Sequence, residues 1–181
     1  FETKAQLAYA VASVAAKYPG SFTGSADHLV SEAFYFDDPE HNGVELYWDR
    51  DRAEWSWNHG QVEMGTFGLD PNAYLRENLP QSVEDTSSNI GHVHLSVGSI
   101  EQAQDFYVNA LGFDVTFNYG GSALFVSAGG YHHHIGLNTW ESLGGTPPPP
   151  GHTGLFHTAI LSRMERENGH AATGTALQQL Q

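Results

Sequence analysis

Cysteine is absent from the 181-residue sequence. This absence excludes disulfide frameworks, thiolate zinc sites and cysteine nucleophiles. Any metal must be held by histidine, carboxylate or water, which are the donors of many iron, manganese, zinc and nickel sites. The sequence also lacks a signal-peptide pattern and an apolar run long enough to span a bilayer. We therefore expect a cytoplasmic protein without a membrane partner.

Basic residues are scarce as well. The chain has 7 Lys and Arg against 21 Asp and Glu, which gives a formal net charge of −14. This balance excludes the basic surface that nucleic acids and anionic membranes bind. Hydrophobic residues still make up 40% of the sequence and aromatic residues 12%. The composition is that of a globular domain with a core of ordinary size.

The first half of the chain begins with helical periodicity. Apolar spacing over residues 2–17 predicts a helix that Pro19 and Gly20 end. Alternation predicts strands over 32–37 and 43–48, joined by the turn "DPEHNG". Residues 51–90 mix polar and aromatic residues and are interpreted as an extension and linker.

Residues 91–145 form one βαβββ pattern. It consists of a strand at 92–97, a helix capped by Ser99, and strands at 113–118, 122–127 and 132–138. Residues 146–161 are a stiff connector, "TPPPP", and the strand-like "LFHTAIL". Residues 162–181 are interpreted as a tail, either a frayed helix or disordered. "LFHTAIL" begins a second unit whose remaining parts, a helix and two strands, stand in residues 1–50.

Four segments together resemble a known superfamily. They are "SADHLVSEAFYFDDPEHNGVELYWDR", "GHVHLSVGSIEQAQDFYVNALGFDV", "SALFVSAGGYHHHIGLNTW" and "GLFHTAIL". The sequence resembles the vicinal-oxygen-chelate (glyoxalase, bleomycin-resistance and extradiol dioxygenase) superfamily, and within it the catechol-2,3-dioxygenase-like type I extradiol enzymes. The resemblance implies an α+β fold in which paired βαβββ modules form a cupped, partly open β-barrel with flanking helices.

The order of the segments departs from the superfamily pattern. There, the segment similar to "GLFHTAIL" directly precedes the helix that here begins at Phe1. Three explanations are open: a circular permutation, a piece of a longer four-module enzyme, or a broken chain written in another order. Because each part occurs once, we favour a complete, reordered domain, in which Leu161 and Phe1 lie close. We expect a homo-oligomer, and a swapped dimer if the continuity is restored between chains.

The resemblance implies a metal centre. Its ligands are His92 and His157, on the first strands of the two units, and Glu45, on the last strand of the second. Two histidines and a carboxylate form the facial triad of non-haem Fe(II), with Mn(II) as the alternative cofactor. Three coordination positions stay open, two for the oxygens of a small aromatic diol and one for O₂. His94 shares a strand face with His92 and is either the ligand, if the register slips by two, or a residue that supports the ligands.

The "HHH" run of residues 132–134 raises the question of which histidine acts. The resemblance places the acid–base histidine at His133. Strand alternation gives a competing answer, because His132 and His134 share the opposite face. The internal repeat also sets His134 opposite Glu45, at the fourth ligand position of glyoxalase-like relatives, so we include it among the substrate-binding candidates.

Further candidates surround the metal. By resemblance, Tyr35 faces the substrate hydroxyl and His28 hydrogen-bonds the deprotonated diol oxygen, although two extra residues separate His28 from Tyr35. Aromatic walls for the pocket are expected from Phe125, Trp48 and Trp140. Trp55 and Trp57 are interpreted as a lid or as an oligomer contact.

The expected activity is that of an Fe(II)-dependent extradiol dioxygenase in the catabolism of aromatic compounds. One alternative is a glyoxalase-like or resistance-type metal-dependent isomerase or transferase, which a fourth protein ligand at His134 would favour. A second is a metal-free protein that binds a small molecule. Fold alone does not separate these functions.

Overall fold

The computed structural model describes residues 1–85, 87–152, 155 and 158–159. The chain divides into one unit of residues Phe1–Pro147 and a second of Pro148–Gln181. In the second unit, the His152 backbone N–H donates to the Pro149 carbonyl oxygen at 3.3 Å. The predicted strand "LFHTAIL" falls mostly outside the described residues. Leu161 and the tail lie entirely outside them.

The first unit combines helices and strands. In chain order its elements are α1 (Lys4–Lys17), β1 (Phe22–Asp27), β2 (Ser31–Asp37), β3 (Gly43–Asp49), a 3₁₀ turn (Arg52–Glu54), β4 (Trp57–Asn58), β5 (Gln61–Val62), β6 (Phe67–Gly68), α2 (Pro71–Asn78), β7 (Val93–Ser96), α3 (Ile100–Gln104) with a π-helical continuation (Asp105–Ala110), β8 (Asp114–Tyr119), β9 (Ala123–Ser127) and β10 (Ile135–Asn138). The predicted α+β class is confirmed, and the described strands form no closed barrel. No helix among the described residues has the length and apolar composition needed to cross a bilayer.

Helix α1 begins at a capping box. The Thr3 hydroxyl accepts from the Gln6 N–H at 3.1 Å, and the Gln6 side chain accepts from the Thr3 N–H at 3.0 Å. The box satisfies backbone donors that the helix itself leaves unpaired. Leu7 and Val11 then lie one turn apart on the buried face and pack with Phe34 of β2. This packing attaches α1 to the convex side of the first sheet.

The first sheet has the order β3-β2-β1-β6, with every neighbouring pair antiparallel. The expected strands correspond to β2 and β3. The sequence reading missed β1, because "FTGSAD" is short of apolar residues and does not alternate clearly. Part of the expected extension also joins this layer: β6 pairs with β1, and Tyr74 of α2 packs edge-on against Phe34 with ring centroids 4.9 Å apart.

The second sheet has the order β7-β10-β9-β8, with β7 parallel to β10. This is the βαβββ arrangement that the sequence pattern predicts. Leu124 and Leu137 are fully buried on the side of the sheet that α3 and its π-helical continuation cover. The opposite, concave face is therefore free to carry polar and aromatic side chains.

The three consecutive histidines do not lie in a strand. The sequence reading expected a strand over 132–138, but β10 begins only at Ile135. Gly129 and Gly130 have φ angles of 68° and 69°, a conformation that glycine adopts without strain. After this turn the His132 carbonyl accepts from the Thr116 hydroxyl at 2.6 Å. The alternation argument for the histidines therefore does not apply, because their backbone is irregular.

Candidate metal centre and its histidine network

The concave faces of the two sheets meet at Glu45 and His92. Glu45, Tyr47 and Asp49 alternate along β3 and share one face. His92 stands directly before β7, and its Nε2 lies 3.0 Å from Oε2 of Glu45. The side chains of His92 and Glu45 are only 8% and 23% exposed. An imidazole and a carboxylate from different sheets thus share one enclosed position.

The carboxylate at this position is held in its charged form. Burial alone acts to raise the pKa of Glu45, but the hydrogen bond and charge of His92 outweigh it and lower the pKa. Glu45 is therefore available as an anionic oxygen donor.

The donor pair fits a divalent metal. Two ligands on neighbouring octahedral positions, each with a bond of about 2.1 Å, lie about 3 Å apart, close to the 3.0 Å between His92 and Glu45. Across the part of the chain that the structure describes, no complete set of three such donors is present. The third expected ligand, His157, lies outside the described residues.

Tyr35 and His28 lie beside this pair. Tyr35 is the direct cross-strand neighbour of Glu45, and its hydroxyl is hydrogen-bonded to Nε2 of His28. Nδ1 of His28 contacts the Gly65 carbonyl oxygen at 2.7 Å and must donate to it. A neutral His28 consequently accepts the Tyr35 proton at Nε2. Burial and the charge of Glu45 raise the pKa of Tyr35, so it stays a phenol at neutral pH.

A second group of hydrogen bonds runs from His92 across β3 to the histidine run. Nδ1 of His92 lies 3.3 Å from the Tyr47 hydroxyl, which lies 2.8 Å from the Tyr131 hydroxyl. Tyr131 donates to Oδ2 of Asp49 at 2.8 Å, and Oδ1 of Asp49 lies 2.9 Å from Nε2 of His132. Burial raises the pKa of both tyrosines, which therefore remain hydrogen-bond donors at neutral pH.

The members of the histidine run have different surroundings. His132 is 1% exposed and contacts His133 through a 2.7 Å separation of their Nδ1 atoms. The ring of His133 packs against His92, with centroids 4.2 Å apart. His134 points elsewhere: its Nδ1 lies 3.0 Å from the Ser127 hydroxyl, and its ring packs against Tyr131. The structure thus brings His133, and not His134, to the metal candidate.

The aromatic residues predicted to line the pocket also differ in whether they lie near the candidate metal ligands. Phe125 packs against His133 and His94 with centroid distances of 4.9 and 5.7 Å. Trp140 lies 5.3 Å from His94. Trp48 lies on the other face of β3, where it packs against the core under α1 and Lys4 stands 4.7 Å from its ring. Phe125 and Trp140 line the concave face, and Trp48 does not.

Three residues of the network have no role in the sequence reading: Asp49, Tyr47 and Tyr131. Trp55, expected as a lid or an oligomer contact, is buried within the chain, and its ring lies 5.2 Å from that of His132. The period-two spacing of Glu45, Tyr47 and Asp49 was the available signal for two of them. Trp55 is 7% exposed and donates to the Arg50 carbonyl oxygen at 3.1 Å. Trp57 is 43% exposed.

Comparison with known proteins agrees with this architecture. Residues 89–168 match the profile of the Glyoxalase/Bleomycin resistance protein/Dioxygenase superfamily. A protein named catechol-2,3-dioxygenase from Bacillus subtilis (strain 168) is 44% identical over 151 residues, which cover 81% of this chain and 53% of the relative. The chain thus spans about half the length of that relative. No solved structure matches the chain. Residues 89–168 therefore form a domain of the glyoxalase, bleomycin resistance protein and dioxygenase superfamily.

Proposed function

We propose that this chain contributes the active site of a non-haem extradiol dioxygenase that cleaves a catechol-type aromatic diol with O₂. The observation that carries the proposal is the 3.0 Å approach of His92 and Glu45 between the two sheets. The name of the Bacillus subtilis relative supports the same reaction. His157 is proposed as the third ligand, and Fe(II) as the metal, with Mn(II) as the alternative.

The three proposed ligands indicate which chemistry a bound metal would supply. When held by His92, Glu45 and His157, a non-haem iron supplies acidity to the diol hydroxyls and redox chemistry for dioxygen. The remaining work of binding the diol and moving its protons falls to side chains of the chain.

Tyr35 and His28 form the first proton path. The Gly65 carbonyl oxygen holds the proton of His28 on Nδ1, which leaves Nε2 as an acceptor for the Tyr35 proton. A substrate hydroxyl beside Glu45 can donate to the Tyr35 oxygen while the phenol proton moves toward His28. This relay removes a proton from the diol without requiring a free tyrosinate, which the raised pKa of Tyr35 disfavours.

His133 forms the second proton path. Its ring packs against His92 on one side and Phe125 on another. In this position it can exchange a proton with a substrate atom next to the ligands. Phe125 and Trp140 supply the apolar surface against which an aromatic ring packs.

The glyoxalase-like alternative gains no support from the histidine run. Its fourth protein ligand would be His134, but Nδ1 of His134 accepts from the Ala128 N–H at 3.3 Å, so the proton of the neutral ring lies on Nε2, the other possible ligand atom. This contact turns the ring toward Tyr131. We therefore propose the dioxygenase and no isomerase.

The test is direct. Protein purified without added metal is analysed for bound metals, then loaded anaerobically with Fe(II) and mixed with catechol and air. We expect bound iron and a yellow ring-fission product. His92→Ala, His157→Ala and Glu45→Ala should each abolish the product. His59→Asn, in the exposed turn between β4 and β5, is the matched histidine control and should leave the rate unchanged.

Two outcomes would contradict the proposal. Retained ring cleavage in Glu45→Ala or His157→Ala would remove the ligand assignment. Rapid conversion of an α-keto aldehyde adduct, with no cleavage of any catechol, would replace the dioxygenase with the isomerase.

A further inference from the structure

A continuous set of hydrogen bonds links β3 to the histidine beside the metal candidate. Oδ1 of Asp49 lies 2.9 Å from Nε2 of His132, and Nδ1 of His132 lies 2.7 Å from Nδ1 of His133. The second carboxylate oxygen of Asp49 accepts from the Tyr131 hydroxyl at 2.8 Å. Both oxygens of Asp49 are therefore used to hold neighbouring side chains in place.

The chemistry of the donors sets the direction of each bond. A carboxylate only accepts, so the proton between Asp49 and His132 belongs to Nε2 of His132. A neutral imidazole has one N–H, so Nδ1 of His132 then has a free lone pair. Two nitrogens 2.7 Å apart need one proton between them. That proton must therefore belong to Nδ1 of His133.

The surroundings of His132 favour its neutral form. The side chain is 1% exposed. Three aromatic rings surround it, those of Tyr131 at 4.1 Å, Trp55 at 5.2 Å and Tyr47 at 6.1 Å. Burial among these rings disfavours a second proton on the imidazole and outweighs the opposite effect of the Asp49 carboxylate, so the pKa of His132 is lowered. The Thr116 hydroxyl donates to the carbonyl oxygen of His132 at 2.6 Å and holds the backbone, while the bond to Asp49 at 2.9 Å orients the ring.

We propose that Asp49, acting through His132, fixes His133 as the tautomer with its proton on Nδ1 and an unprotonated Nε2. Asp49 and His132 are positioning residues in this scheme, because neither touches the reacting atoms. Nε2 lies on the far side of the His133 ring from His132. His133 thus presents Nε2 as a hydrogen-bond acceptor on the side away from His132.

The protonation states can be measured without any reaction. Long-range ¹H–¹⁵N spectra of the whole chain with ¹⁵N-labelled histidines distinguish protonated from unprotonated ring nitrogens. We expect His132 with a proton on Nε2 only, and His133 with a proton on Nδ1 only, at neutral pH. A doubly protonated His132, or a His133 proton on Nε2, would overturn the proposal.

Two variants test whether Asp49 determines the tautomers of His132 and His133. Asp49→Ala removes the acceptor for His132, so we expect His132 and His133 each to become a mixture of tautomers. Tyr131→Phe is the matched control: it removes the other bond to Asp49 but keeps the ring that packs against His132. Its tautomers should match those of the unaltered protein. Identical tautomers in Asp49→Ala would show that Asp49 does not set them.

The catalytic meaning of this relay rests on the proposed function, and a kinetic measurement separates the two. If the chain cleaves catechol, Asp49→Ala should lower kcat by at least about tenfold with KM nearly unchanged. An equal loss in both parameters would contradict a positioning role. If no catechol is cleaved but the tautomers are as expected, the proposed function fails and the relay stands. If catechol is cleaved and the tautomers differ, the relay alone fails.

Discussion

Nε2 of His92 and Oε2 of Glu45 lie 3.0 Å apart, although Glu45 lies in the first sheet and His92 directly precedes β7 of the second. Glu45 stands opposite Tyr35 in the antiparallel register of β2 and β3, and His92 immediately precedes the strand that pairs with β10. The two halves of the cup therefore meet through a pair of potential metal ligands.

This pair leads to a prediction for metal binding. Glu45→Gln keeps the size of the side chain but removes its charge, so the affinity for Fe(II) should fall by at least about 100-fold. Removing a residue that only hydrogen-bonds a metal ligand already lowers metal affinity by roughly 10- to 100-fold. Anaerobic titration with Fe(II) measures the change. Glu63→Gln alters an exposed carboxylate and should bind iron normally. Equal affinities in the two variants would show that Glu45 is not a ligand.

A close backbone approach beside His92 leads to a prediction for stability. A Cβ atom on Gly91 would lie 1.6 Å from the Tyr47 hydroxyl oxygen and 3.1 Å from that of Tyr131. Gly91→Ala must therefore displace Tyr47, and we expect it to lower the free energy of unfolding by about 1–3 kcal/mol. Urea denaturation measures this change.

The matched control for this change is Gly24→Ala. Gly24 lies in β1, and a Cβ there would meet only the Tyr35 ring at 3.9 Å, an ordinary contact. This variant should be close to the unaltered protein in stability. A Gly91→Ala protein that is as stable as Gly24→Ala would mean that Tyr47 does not occupy the space beside Gly91.

The sequence was sufficient to predict the elements with strong periodicity. Helix α1, strands β2 and β3, and the βαβββ unit that follows Gly91 all have clear apolar patterns, and the structure contains them. Strand β1 was missed because its residues are mostly small or polar. The run His132–His134 was assigned to a strand because Gly129 and Gly130 were not recognised as a turn that shortens β10.

The site was harder to predict than the fold. Resemblance supplied His92 and Glu45, but no local pattern connects Asp49 with His132, which lie 83 residues apart in the chain. Such a bond depends on how the two sheets face each other. Trp48 is a different case, since alternation along the strand already places it on the face of β3 opposite Glu45, as the structure shows. Parity along β3 would have excluded Trp48 and included Asp49.

The hydroxyl of Tyr35 leads to a prediction for catalysis. Tyr35→Phe removes the hydrogen bond to His28 and leaves the ring in place. If the proposed proton path operates, kcat for ring cleavage should fall roughly 10²-fold, the lower range for loss of an acid–base group. Tyr119→Phe, at a residue that is 60% exposed, should have no effect. A rate in Tyr35→Phe equal to that of Tyr119→Phe would assign the first proton transfer to another group.

The burial of His132 leads to a prediction for stability in acid. Burial lowers the pKa of His132 below its ordinary value of 6.5, although Asp49 acts in the opposite direction. Below pH 6.5 the unfolded chain takes up a proton at this residue, while the folded protein resists it. The free energy of unfolding therefore falls as the pH drops from 6.5 toward the folded-state pKa. Above 6.5, where both states are neutral, this residue contributes no pH dependence.

Removing the imidazole should weaken this dependence. One proton contributes at most about 1.4 kcal/mol per pH unit to the slope, so His132→Phe should have a shallower slope between about pH 5.5 and 6.5. Urea denaturation of the metal-free protein at closely spaced pH values measures it, and His59→Asn serves as the exposed control. The slope is the decisive quantity, because His132→Phe also changes packing against Trp55 and Tyr131 at every pH. An unchanged slope would mean that folded His132 takes up its proton as readily as the unfolded chain does. In that case the neutral imidazole between Asp49 and His133 would be lost over the same pH range.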